Sequence, residues 1–224
     1  MAKSELLSLR ASLDSRTRLD HTALQHGPSS IETDEEVARA TPEIVSIVEA
    51  SQSSYDAVVI ACVGDAGVAS AREKSRIPVI GPGEAAMQLA SIYGPRFSIV
   101  VATPNGVTEM TRLANAVGLG ERLASVRSLG IPIAEVADDL FRTQAALVRE
   151  AHLAASADGA RAVIIGCGAA APTWSGAQRS LSHTQPGVRL IEPLSWAVRL
   201  AEALVRSESV TLQRDALVQA GGRL

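Results

Sequence analysis

The stretch Asp56-Ala-Val-Val-Ile-Ala-Cys62-Val-Gly-Asp-Ala-Gly67 decides the fold. Its unbroken apolar run, Val58 to Ala61, suits a strand of a parallel sheet covered by helices on both faces. The residues after Cys62 then turn the chain. The pattern returns in Ala160-Arg-Ala-Val-Ile-Ile-Gly-Cys167-Gly168. Downstream of each copy comes a second apolar strand, a proline turn and a helix. The first is Ile77-Pro-Val-Ile-Gly-Pro82, running on into Glu84-Ala-Ala-Met-Gln-Leu-Ala90; the second is Val188-Arg-Leu-Ile-Glu-Pro193, running on into Ser195-Trp-Ala-Val-Arg-Leu-Ala201. Two such copies predict two similar α/β lobes that face each other across a cleft. Each cysteine then ends a strand, where open α/β sheets bind ligands.

Working outward, short β-rich runs alternate with longer helical patterns. Strands are expected over 17–23, 57–62, 78–80, 97–103, 124–128, 162–167 and 188–191. Helices are expected over 4–12, 42–51, 84–92, 107–117, 138–156 and 194–205, with Thr41 capping the second and Pro42 at its first position. Residues 207–224 read as a short helix with a frayed end. The alternation describes a doubly wound α/β architecture with parallel sheets.

Composition narrows the function classes. A net charge of −3 argues against a nucleic-acid groove or a basic membrane-binding face. There is no apolar run long enough to span a bilayer, and Glu5 and Arg10 interrupt any leader-like start, so a soluble cytoplasmic protein is expected. With two cysteines and four scattered histidines (His21, His26, His152, His183), neither a disulfide scaffold nor a metal site is expected.

What remains is the pair of thiols. A thiolate and a thiol on opposite sides of one carbon can invert it, one sulfur removing the α-hydrogen and the other returning a proton to the opposite face. Backbone N–H groups in Val63-Gly64-Asp65-Ala66-Gly67 and Gly168-Ala169-Ala170 are expected to lower the thiol pKa values and to hold a developing oxyanion. A free cysteine is also a common small core residue. Both readings stand at this level, whereas a Cys–His nucleophile lacks a histidine near either motif.

At these residues the sequence resembles the aspartate/glutamate racemase superfamily, and most nearly its hydantoin racemase branch. The resemblance rests on residues 59–67 with Ala71-Arg-Glu73, on Ile77-Pro-Val-Ile-Gly-Pro-Gly-Glu-Ala-Ala-Met87, and on Phe97-Ser-Ile-Val-Val-Ala-Thr103. It continues in Ile164-Ile-Gly-Cys-Gly168, in Arg189-Leu-Ile-Glu-Pro193 and in the loop Gly27-Pro-Ser-Ser-Ile-Glu32. It implies two flavodoxin-like lobes related by a pseudo-twofold: residues 1–95 with 194–224, and residues 96–193. It also implies a cofactor-independent racemase that uses Cys62 and Cys167 as its acid/base pair. Substrate would be held by Val63, Gly64, Asp65, Gly168 and Ala169, with Thr103 nearby; Asp65 would also order its loop or cap a helix, and Glu192 would be a turn residue. Two departures stand out: no strand with an Asn-Pro-Asn loop precedes the first helix, and the second motif reads Gly-Ala-Ala-Ala. The first of these leaves a sheet edge open to self-association, so a homo-oligomer is expected.

Neither cysteine loop carries Lys or Arg, and Arg72, Lys74 and Arg76 read as surface charge. A neutral ring therefore fits better than an amino acid carboxylate, which points to a 5-substituted hydantoin or an allantoin-like ureide. The alternatives are an amino acid racemase, a maleate-type cis-trans isomerase, or a catalytically silent ligand-binding relative.

Overall fold

Residues 97–101 and 162–165 form the central pair of strands of the larger sheet. The computed structural model describes residues 3–28 and 30–219, with side chains over 6–28 and 30–207. Its elements are α1 (Lys3–Ala11), α2 (Asp34–Ser51), β1 (Val58–Val59), α3 (Val68–Lys74), β2 (Val79–Ile80), α4 (Pro82–Tyr93), β3 (Phe97–Val101) and α5 (Asn105–Ala116). They continue with β4 (Leu123–Ser128), α6 (Ile133–Val136), α7 (Leu140–Ser156), β5 (Ala162–Ile165), α8 (Trp174–Thr184), β6 (Arg189–Ile191) and α9 (Pro193–Gln219). None of these helices is long and apolar enough to cross a membrane.

The larger sheet is parallel throughout, in the order β4-β3-β5-β6. The chain leaves β3 for β4 on one side and returns to β5 on the other. The order therefore reverses between β3 and β5, and the crevice beyond their carboxyl ends is where such sheets bind ligands. Successive side chains point to opposite faces. Phe97, Ile99, Val101, Ala162 and Ile164 pack with α4 and α5, while Val100, Val163 and Ile165 pack with α7 and α8. Both faces are covered, as the unbroken apolar runs require.

The smaller sheet pairs β1 with β2, in register Val58↔Val79 and Val59↔Ile80. Ala40, Ile44 and Val48 of α2 cover one face with α3, and Ala85, Ala197 and Ala201 of α4 and α9 cover the other. Helix α4 serves both sheets. Its Ala85 faces the small one, and Ala86, Met87 and Ala90 face the large one.

Several expectations need correction. Residues 17–23 form no strand. This polar run lacks an apolar face and pairs with no strand among the described residues; Tyr55 Oη donates to Asp20 Oδ2 at 2.9 Å. Helix α2 begins at Asp34, so Thr41 is not its cap and Pro42 lies inside it. Thr33 is the cap: its Oγ1 accepts from the Glu36 N–H, and three acidic residues in the first turn favour the positive helix end. Helix α9 runs unbroken to Gln219 rather than restarting at Ser207; the expected frayed end over 220–224 lies outside the described residues. Helices α6 and α8 lie outside the expected spans, and β1 and β2 are shorter than the apolar runs that contain them. Arg72 is more than surface charge, since its Nε donates to the Val79 carbonyl at 2.9 Å and its Nη1 pairs with Glu84 at 2.7 Å.

The two strand–proline–helix units are capped by complementary means. Asp65, at φ 54°, reaches over to α4, where its carboxylate accepts the N–H groups of Gly83 at 2.8 Å and Glu84 at 2.7 Å. A Cβ on Gly81 would meet that carboxylate, 2.6 Å from Oδ1. In the second unit Glu192 occupies the position of Gly81, and accepts from Leu194 and Ser195 at 2.9 and 2.8 Å. Ala170 there occupies the position of Asp65. The carboxylate has changed chain position while keeping its task, the unpaired N–H groups of the helix start. Asp65→Ala is expected to lower unfolding stability by about 1–2 kcal/mol, and Asp65→Ala with Gly81→Glu to recover part of it. Urea denaturation checks this; a double variant no more stable than Asp65→Ala alone would contradict the equivalence.

Candidate active site

Cys62 lies just beyond β1, where the chain folds into a tight turn with the Asp65 N–H donating to the Cys62 carbonyl at 2.9 Å. Cys167 lies just beyond β5 at the head of a 3-10 turn (Gly168–Thr173), and the Ala170 N–H donates to its carbonyl at 3.0 Å. The turns share one feature: in each, the cysteine C=O takes the N–H three residues on. They also bring backbone donors near sulfur. The N–H groups of Gly64 and Ala66 favour the Cys62 thiolate, and those of Ala169 and Ala170 the Cys167 thiolate.

Both cysteines line one cavity of about 380 Å³. The switch-point crevice supplies Thr103, just past β3, and Gly166 to Ala169, past β5. Val63 and Gly64 come from the first turn, Glu109 and Met110 from α5, Ile133 from α6, and Ser30 to Glu32 from the loop before α2. Cys62, Val63, Gly64, Thr103, Cys167, Gly168 and Ala169 are thus brought together as the sequence suggested. Asp65 is not among the lining residues, because its carboxylate is engaged on α4.

The electrostatics reverse one expectation. Both thiols are raised above the usual thiol range, not lowered. Burial is the largest cause for each, since it penalises the thiolate more than two N–H donors relieve it. Carboxylates add to the effect: Glu109 and Asp65 act on Cys62, and Glu32 on Cys167. Burial likewise pushes the Asp65 carboxyl up to about 6, against the pull of the Glu84 and Gly83 N–H groups. Glu109 is also raised, by burial first and by the charges of Asp34 and Glu32.

Sequence reasoning missed Glu109 and gave Glu32 no role. One signal was available for Glu109. It stands three residues after Gly106 on the helix that follows the central strand β3, so both fall on the helix face that borders the switch point. Nothing in the spacing singles out Glu32, which reaches the cavity because the Thr33 cap fixes the loop before it.

Known proteins with this fold and sequence narrow the chemistry. A family model described as Asp/Glu/Hydantoin racemase matches residues 6–201. Over 179 residues the chain is 31% identical to a hydantoin racemase of Rhizobium meliloti, covering 80% of this chain and 72% of that one. Over 181 residues it is 33% identical to a hydantoin racemase of Paenarthrobacter aurescens, covering 80% and 75%. The structure of allantoin racemase from Klebsiella pneumoniae superposes with a TM-score of 0.83 at 28% identity, over 91% of this chain and 81% of that chain. With the parallel sheets, the matched turns and these likenesses together, the chain belongs to the Asp/Glu/Hydantoin racemase family and is an isomerase of the racemase kind.

Proposed function

We propose that this chain racemises a 5-substituted hydantoin or an allantoin-like ureide by passing protons between Cys62 and Cys167. The observation that carries the reading is the pair of equivalent cysteine turns opening into a single cavity. The names of the hydantoin and allantoin racemases cited above support the substrate class.

One cysteine, as thiolate, takes the α-hydrogen and becomes a thiol. The electron pair left on carbon delocalises into the adjoining ring carbonyl, whose oxygen is held by backbone N–H groups of Val63 and Gly168. The other cysteine, as thiol, gives its proton to the opposite face and becomes the thiolate. Charge and protons balance, the negative charge having moved from one sulfur to the other, and the opposite enantiomer or solvent exchange restores the starting form. No cofactor enters these steps. Gly64 and Ala169 steady the sulfurs, Thr103 borders the ring, and Asp65 acts at a distance by fixing the Cys62 turn to α4.

The reading includes two lobes, residues 1–95 with 194–224 and residues 96–193, with the cavity between them. It also includes a cytoplasmic homo-oligomer. Two free thiols suit a reducing compartment, and β1 has a strand partner on one side only among the described residues. A cavity with two carboxylates and, among the described residues, no Lys or Arg disfavours the dicarboxylate of a maleate-type isomerase.

Proton NMR of each enantiomer of a 5-substituted hydantoin in D₂O follows loss of the α-proton signal, and polarimetry follows inversion. Cys62→Ser and Cys167→Ser are each expected to slow inversion by about 10²–10⁴-fold. Each variant should still exchange the α-proton of the one enantiomer whose hydrogen faces the remaining thiol. Full inversion by either variant would refute the two-thiol transfer.

The raised thiols set the pH dependence. One sulfur must be ionised and the other protonated, and burial keeps both protonated at neutral pH. The rate (kcat/KM) is therefore expected to climb as pH rises, with the ascending limb above the ordinary thiol value of about 8.5, and to fall again once both sulfurs ionise. A pH–rate profile measures this, and a limb near pH 7 would contradict the role of burial.

A further inference from the structure

The cavity carries two groups that proton transfer between cysteines does not use. Glu109 and Glu32 both line it, and among the described residues no Lys, Arg or His does. Glu109 lies against Gly64, its Oε1 filling the space that a Cβ on residue 64 would need. Among the described residues none donates a hydrogen bond to its carboxylate. The nearby cation Arg112 acts on it through its charge, but places its Nη1 on Asp34 at 2.8 Å. Glu32 is held in place from its own loop: Ser30 Oγ donates to its Oε1 at 3.1 Å, and its N–H donates to Glu36 at 2.8 Å.

A half-buried carboxylate without a protein donor has open acceptor sites facing the cavity. A ligand that brings N–H groups fills them. A ligand that brings a carboxylate adds a like charge in a site shielded from water, where repulsion is strong. Discrimination by such a repulsive element can exceed what attractive contacts supply.

We propose that Glu109, together with Glu32, sets substituent specificity, accepting a 5-substituent that carries N–H donors and refusing one that carries a carboxylate. This rests on the hydantoin reading above and adds to it which substituents the site takes and which residues choose them. It also gives residue 64 a reason to be glycine, since a side chain there would displace the Glu109 carboxylate.

A nearly isosteric pair tests it without a change of size: 5-(2-carbamoylethyl)hydantoin against 5-(2-carboxyethyl)hydantoin. The kcat/KM for α-proton exchange is measured in D₂O for the unmodified protein, Glu109→Gln and Glu32→Gln at pH 8. Binding of the same pair to Cys167→Ser, with and without Glu109→Gln, is measured by calorimetry. The unmodified protein is expected to prefer the amide by about tenfold or more. Glu109→Gln should shrink that preference about tenfold, chiefly by lowering KM for the carboxylate, while Glu109→Asp retains it. An amide-to-carboxylate ratio unchanged in both Gln variants, with exchange proceeding, would overturn the charge filter and leave the racemase reading standing. Charge-selective binding that is lost in Glu109→Gln, without exchange of either compound, would support the filter and overturn the racemase reading. Neither binding nor exchange of either compound would overturn both.

Discussion

The carboxylate of Asp65 on the start of α4 is the contact on which the arrangement of the site depends. It fixes a backbone in a left-handed conformation, which Asp tolerates better than most residues. It also demands that Gly81 carry no side chain. Helix α4 packs on both sheets, through Ala85 on one side and Ala86, Met87 and Ala90 on the other. A turn held to α4 is therefore held relative to β3 and β5 as well, and so to the turn that carries Cys167. The carboxyl is pushed up to about 6 by the burial that this position imposes, so the fold accepts an unfavourable environment for one acid in return for a fixed site.

The same competition between burial and backbone donors recurs at the thiols. Two N–H groups at each sulfur are the feature that would ordinarily draw a thiol pKa down. Here the crevice is closed enough for desolvation to outweigh them. The donors hold a thiolate once it forms, without making it the resting state.

Much of this was legible in the sequence, for definite reasons. The large sheet follows from Val100, Val163, Ile164 and Ile165, whose unbroken apolar character only a two-sided burial satisfies. The cysteine turns follow because the repeat preserves the strand–Cys–Gly order in both copies. The failures are also physical. Residues 17–23 look like a strand by local preference, but pairing needs a neighbour and the polar run finds none. Pro42 marks a helix start in most contexts, yet the Thr33 cap and the acidic first turn carry the helix through it. The thiol shifts went the wrong way because local sequence displays the N–H donors, whereas depth of burial is a property of the whole chain. Glu32 reaches the cavity only through a loop and a cap whose path no periodicity encodes.

The near-equivalence of the two turns has a chemical consequence for the proposed transfer. Enantiomers have equal free energies, so forward and reverse conversions must run through the same pair of protonation states. If one thiol were more acidic than the other by a pKa unit, the charge would rest on it about tenfold more often. One enantiomer would then meet the ready form of the protein only a minority of the time. Matching the sulfurs avoids that bias. Each has two backbone donors from its own turn and a cavity carboxylate acting on it, Glu109 for Cys62 and Glu32 for Cys167. The match is not complete: Asp65 adds its charge to the Cys62 side alone, while the second copy has moved its capping acid to Glu192, beyond the cavity lining. The device that anchors the first turn therefore also adds a difference between the two proton positions.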